Sequence, residues 1–118
     1  MRAILINPAD KTITEVDYNG DFRTISKLIH ADSGLFDIVC VGETDGVTHD
    51  LYVDDEGLFV PPELQHYFQW RHDLNDRDTW QVLAGSALLL DCDPDTGNSQ
   101  ASTLTIEHVA KHVQFKPN

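Results

Sequence analysis

Two groups of side chains have the types and spacing that chemistry needs. Asp91, Asp93 and Asp95 alternate along the chain ahead of Gly97, and hard cations take clustered carboxylates of this kind. A calcium loop, however, wants Gly at its sixth position and Glu at its twelfth. Thr96 and Ser102 stand there instead, and Pro94 stiffens the segment. Asp93-Pro94-Asp95-Thr96-Gly97 therefore reads as a hairpin turn, with Pro setting one dihedral and Gly supplying a positive φ. His108 and His112 lie four residues apart, with Glu107 beside the first. On a helix that spacing puts two imidazoles on one face, as a metal site requires. The zincin order His-Glu-x-x-His is absent and no third ligand is marked, so a solvated helix face is the plainer reading.

A third group is aromatic: His66-Tyr67-Phe68-Gln69-Trp70-Arg71-His72, with Trp80 further on. Large amphipathic rings dominate interface hot spots, which makes Tyr67 and Trp70 candidate binding residues. The competing assignment puts Tyr67, Phe68 and Trp80 in the core, with Trp70 covering its edge. The acidic runs Asp54-Asp55-Glu56 and Asp91 to Asp95 are the other candidate binding elements. They sit in turns, where solvation holds carboxylates near their ordinary behaviour and does not favour acid–base work. There is no Gly-x-Ser-x-Gly, no phosphate-binding Gly loop and no nucleophile beside a local base. An enzyme is not the expected class, and no cofactor is implied.

Charge bounds the partners. Eight Lys and Arg face 20 Asp and Glu, a formal charge of −12 over 118 residues. Such a field repels nucleic acid and anionic membrane, and favours basic partners, cations or plain solubility. No run approaches the roughly 20 apolar residues of a membrane span. Met1 to Pro8 carries too short an apolar segment for a secretory signal, so the expected compartment is the cytoplasm. Cys40 and Cys92 lie in apolar settings without CxxC spacing, and read as reduced, mostly buried thiols.

The elements that must position these residues follow from pattern. Arg2 to Ile6 and Thr12 to Tyr18 read as a strand hairpin. Asp21 caps a helix in which Phe22, Ile25, Leu28 and Ile29 recur at helical spacing, ending near His30. Leu35 to Gly42 and Val47 to Val53 form a second hairpin around Glu43-Thr44-Asp45-Gly46. Leu58 to Val60 reads as a strand, Pro62 to Trp70 as a short helix, and Arg71 to Thr79 as an exposed loop. Trp80 to Asp91 is one long strand bent or bulged at Gly85. Ser99 to Thr105 returns as a strand, and Ile106 to Val113 closes the chain with a helix.

The opening Arg2 to Pro8, the segment Leu51 to Leu58 with Pro61-Pro62, the run Leu83 to Leu90 and the stretch Leu104 to Glu107 together resemble a family of small uncharacterised proteins encoded mostly by phages and mobile elements. The shared features are strand and turn patterns, so the resemblance implies a context and no mechanism.

The expected architecture is a single α+β domain over residues 1–118, with an antiparallel or mixed sheet of five to seven strands and two main helices on one face. The expected function is an acidic binding or regulatory protein engaging a basic site on a protein partner. Mimicry of nucleic acid by a phage-derived protein is one version of it, and self-association is a further partner expectation. The alternative is a small enzyme or metal-dependent protein using His108, His112 and the acidic loops.

Overall fold

The computed structural model describes residues 1–31, 34–55, 61, 63, 65–74 and 77–115, without the side chains of 73, 74, 77 and 78. The elements in chain order are β1 (Arg2–Asn7), β2 (Thr12–Asp17), α1 (Ile25–Leu28), β3 (Phe36–Thr44), β4 (Val47–Asp54), β5 (Tyr67–Leu74), β6 (Arg77–Ala84), β7 (Ala87–Cys92), β8 (Ser99–Gln100), α2 (Ile106–His112) and β9 (Val113–Phe115). The fold is α+β. Its larger sheet is antiparallel, in the order β2-β1-β7-β4-β3, and β8 also pairs with β7. A second antiparallel sheet has the order β6-β5-β9.

Side-chain alternation divides the interior into two cores. Ile4 and Ile6 of β1, Leu51 and Val53 of β4, and Leu89 of β7 pack on Phe68, Trp70, Leu83 and Val109. The small sheet and α2 therefore cover this face. Ala3, Tyr52, Leu88 and Leu90 point the other way, onto Tyr18, Ile25 and Ile29 around α1. The two helices thus lie on opposite faces of the large sheet. Ala87 to Leu90 is wholly buried because β7 is central and covered on both sides.

Several expected elements change in the folded chain. Asp21 caps as expected, accepting from the Arg23 amide, but a 3-10 turn over Phe22–Thr24 takes the place of the first helical turn. Phe22 is left exposed, and His30 ends the segment at a φ of 58°. The helix expected from Pro62 to Trp70 is not formed over Tyr67 to Trp70, which is β5. Phe68 and Trp70 are buried at period two, and a short apolar run does not distinguish that period from a helical one. The loop expected at Arg71 to Thr79 is instead the continuation of β5 and β6, paired out to Leu74 and Arg77.

The long strand expected from Trp80 to Asp91 is two strands in two sheets. The chain leaves the small sheet at Ala84 and enters the large one at Ala87. Gly85, at a φ of +79°, turns it. Beyond Gln100 the expected strand stops: the Ser102 amide donates to the Arg2 carbonyl at 2.8 Å, and Arg2 Nη1 donates to the carbonyls of Ser102 and Leu104. Val113, expected in the last helix, begins β9 against Trp70. Cys40 is exposed and Cys92 half-buried, both free thiols, so neither is the buried hydrophobe expected. Trp70 is 2% exposed and Trp80 42%, which reverses their expected places. The expected strand Leu58 to Val60 lies outside the described residues.

Candidate functional site

The site begins at the β3–β4 hairpin. Asp45 and Gly46 both take positive φ, 52° and 85°, the conformation of a two-residue primed turn that matches strand twist. That turn sets Thr44 opposite Val47 and so fixes the register back to Gly42 opposite His49. A bulge between Cys40 and Gly42 interrupts the ladder, and bulges re-aim the side chains beside them. On the other side of β4, His49 stands directly across from Asp91 of β7.

These placements link three side chains. Asp91 Oδ1 lies 2.7 Å from His49 Nδ1, and His49 Nε2 lies 2.9 Å from Thr44 Oγ1. Because the Asp91 carboxylate accepts, His49 donates from Nδ1, and in the neutral ring Nε2 accepts from the Thr44 hydroxyl. The second Asp91 oxygen accepts from the Thr103 amide at 3.1 Å and from Thr103 Oγ1 at 2.7 Å. Asp91 is 1% exposed and His49 4%, while Thr44 is exposed. The carboxylate end is sealed and the hydroxyl end is open.

Across from this hairpin, β5 and α2 supply the other wall. The His108 and His112 rings stack at 4.7 Å and 22°, and His112 stacks in turn on Trp70 at 5.4 Å and 23°. His112 Nδ1–H donates to the His108 carbonyl at 3.0 Å. His72 Nε2–H donates to Gln81 Oε1 at 2.7 Å. Trp70 Nε1–H is buried and meets no acceptor among the described residues. Together these walls enclose an open cleft of about 640 Å³, lined among others by Cys40, Thr44, His49, Trp70, Arg71, His72, Leu104, His108 and His112.

The candidate residues read from sequence separate. His108, His112 and Trp70 come together in the cleft. Nearly parallel imidazoles aim their ring-nitrogen lone pairs side by side, not at one ion, and His112 Nδ1 is already committed to a carbonyl. Among the described residues no three His, Cys, Asp or Glu side chains are grouped to hold a metal. Asp91 is buried behind His49, whereas Asp93 lies half-buried and Asp95 exposed at the following turn. Asp54 and Asp55 lie at the other end of β4, beside Asp37 along a hollow of about 230 Å³. Six residues of strand separate the two acidic ends, about 20 Å at the ordinary rise. Tyr67 is half-buried at the start of β5, and Glu56 lies outside the described residues.

Thr44 and His49 were not among the sequence candidates, whereas His72 closed the aromatic segment. His49 and Asp91 are 42 residues apart in the chain, and strand pairing alone joins them. The Asp45-Gly46 turn was the one local signal, since it fixes which face of the hairpin Thr44 and His49 share. No protein-family model, no curated protein and no solved structure matches this chain.

Proposed function

We propose that the protein is a binding protein whose ligand is a small molecule presenting an anionic oxygen group to the histidine cleft. One observation carries this reading: in a chain of charge −12, four of the six histidines line a single cleft, with Arg71 beside them. Glu43 is the one acid in that lining among the described residues. Imidazole N–H groups donate hydrogen bonds to anionic oxygens. The stacked Trp70–His112–His108 rings suit an apolar or planar ligand body.

The test is a titration with sodium benzoate and inorganic phosphate, followed by imidazole nitrogen NMR. His72, His108 and His112 should shift saturably with either probe. His30 and His66, which do not line the cleft, serve as internal controls. Equal shifts at all six histidines, or none at millimolar probe, would remove the cleft as a binding site.

The acidic exterior supports a second reading, in which a partner with a basic surface is engaged. Asp37, Asp54 and Asp55 converge at one end of the β3–β4 pair, and no Lys or Arg lines the hollow there among the described residues. Self-association would draw on the exposed Ile38 of β3 and on Trp80 and Val82 of β6, all on edge strands. No described helix is long and apolar enough to cross a membrane. A cytoplasmic location and a phage or mobile-element context go with this reading as expectations about its setting.

A further inference from the structure

We propose that Thr44, His49 and Asp91 act as nucleophile, general base and orienting carboxylate in the hydrolysis of small carboxylate esters. This rests on the cleft reading above, since the acyl group must seat there. A hydroxyl becomes a useful nucleophile when a base within hydrogen-bond reach takes its proton and a third group holds that base. The two links here, 2.9 Å and 2.7 Å, both meet that reach. Asp91 is itself held by two donors from Thr103, so the imidazole is held in one orientation.

Burial runs in the order such a relay needs. Asp91 and His49 are screened from water, and Thr44 stands exposed on the cleft wall. A purely structural clamp between β4, β7 and the segment before α2 would be complete with His49, Asp91 and Thr103. The link to Thr44 adds nothing that water could not supply at an exposed position.

The chemistry balances with water as the co-reactant. Thr44 Oγ1 adds to the ester carbonyl carbon as its proton passes to His49 Nε2. The tetrahedral adduct collapses, the bond to the alcohol oxygen breaks, and His49 returns the proton to that oxygen. Water, deprotonated by His49, then attacks the acyl carbon. The bond to Thr44 Oγ1 breaks, His49 returns the proton to that oxygen, and the carboxylic acid leaves.

The experiment uses the intact chain with p-nitrophenyl acetate, followed by release of p-nitrophenolate and by mass spectrometry of the quenched protein. The expected result is saturable turnover with an acetyl group on Thr44. Thr44→Val, isosteric and at an exposed strand position, should lower turnover at least about 100-fold, the usual scale of a lost catalytic group. Thr44→Ser, which keeps the hydroxyl, should still turn over and carry the acetyl group. Asp91→Asn should lower turnover as well, and Thr44→Val decides the matter if that variant fails to fold. Unchanged turnover in Thr44→Val, or acetyl found on a histidine or lysine instead, overturns the relay. Benzoate that still shifts the cleft histidines in that event leaves the binding reading standing. Failure of benzoate and phosphate to bind marks the failure of that reading instead.

Discussion

Two buried carboxylates stand one register step apart in the large sheet, Asp91 opposite His49 and Asp50 opposite Leu90. Asp91 accepts three hydrogen bonds and serves the cleft. Asp50 points to the other face, where burial pushes its carboxyl above the ordinary aspartate value, against the opposing pull of hydrogen bonds from Thr48 and Cys40. A carboxyl raised in the folded state stabilises the fold while protonated, and that contribution is lost as pH rises through the folded value. Asp50→Asn, which removes the charge and keeps an acceptor, should therefore raise Tm at pH 7 to 8. The gain should shrink as pH falls into the carboxylate range, because the native Asp50 is then neutral too. Thermal melts of both proteins from pH 4 to pH 8 measure this, and a gain independent of pH would mean that burial of the charge is not its source.

At the scale of elements, the passage from β6 to β7 is the joint that lets one chain build both sheets. Gly85 makes it at a φ of +79°, with its amide donating to the His66 carbonyl at 2.8 Å. A Cβ added there would meet nothing within 4 Å, so the cost of a side chain is backbone strain and not collision. Gly85→Ala should destabilise by roughly 1–2 kcal/mol, the penalty of a left-handed conformation for an L-residue. Gly85→Asn should cost less, since Asn tolerates that region. Urea unfolding with unchanged slope and a lowered midpoint is the expected record. Equal midpoints for Gly85→Ala and the unsubstituted protein would show that the turn relaxes into ordinary strand geometry. The joint also bears on function, because β5, which carries Trp70 and His72, is held over the large sheet by that same connection.

For the whole molecule, the excess of acids governs how it meets others. The acidic ends at Asp54–Asp55 and Asp93–Asp95 lie about 20 Å apart along the sheet. Charges are screened beyond roughly 8 Å at physiological ionic strength, so each end steers an encounter separately. Asp54→Lys with Asp55→Lys should slow association with an oligolysine peptide several-fold and leave dissociation nearly unchanged, as is usual for rim charges. Raising salt should slow the unsubstituted protein in the same way. Surface binding kinetics at two salt concentrations separate the outcomes, and salt-independent rates would reduce the acidity to a solubility device.

The residues by themselves determined what depends on near neighbours. The apolar run of β7, the Asp45-Gly46 turn, the break at Gly85 and the helical spacing around Val109 are each legible within a dozen residues, because backbone preference and side-chain period act over that range. Which strand lies beside which is decided by burial shared between distant segments, and no local period encodes it. That is why Trp70 rather than Trp80 enters the core: β5 is the central strand of the small sheet and β6 its edge. Likewise the helices take opposite faces because β1, β4 and β7 each present apolar side chains to both. The site is the extreme case. His49 meets Asp91 across 42 residues only because β4 pairs with β7 in one register, and a shift of one residue would turn every side chain to the opposite face.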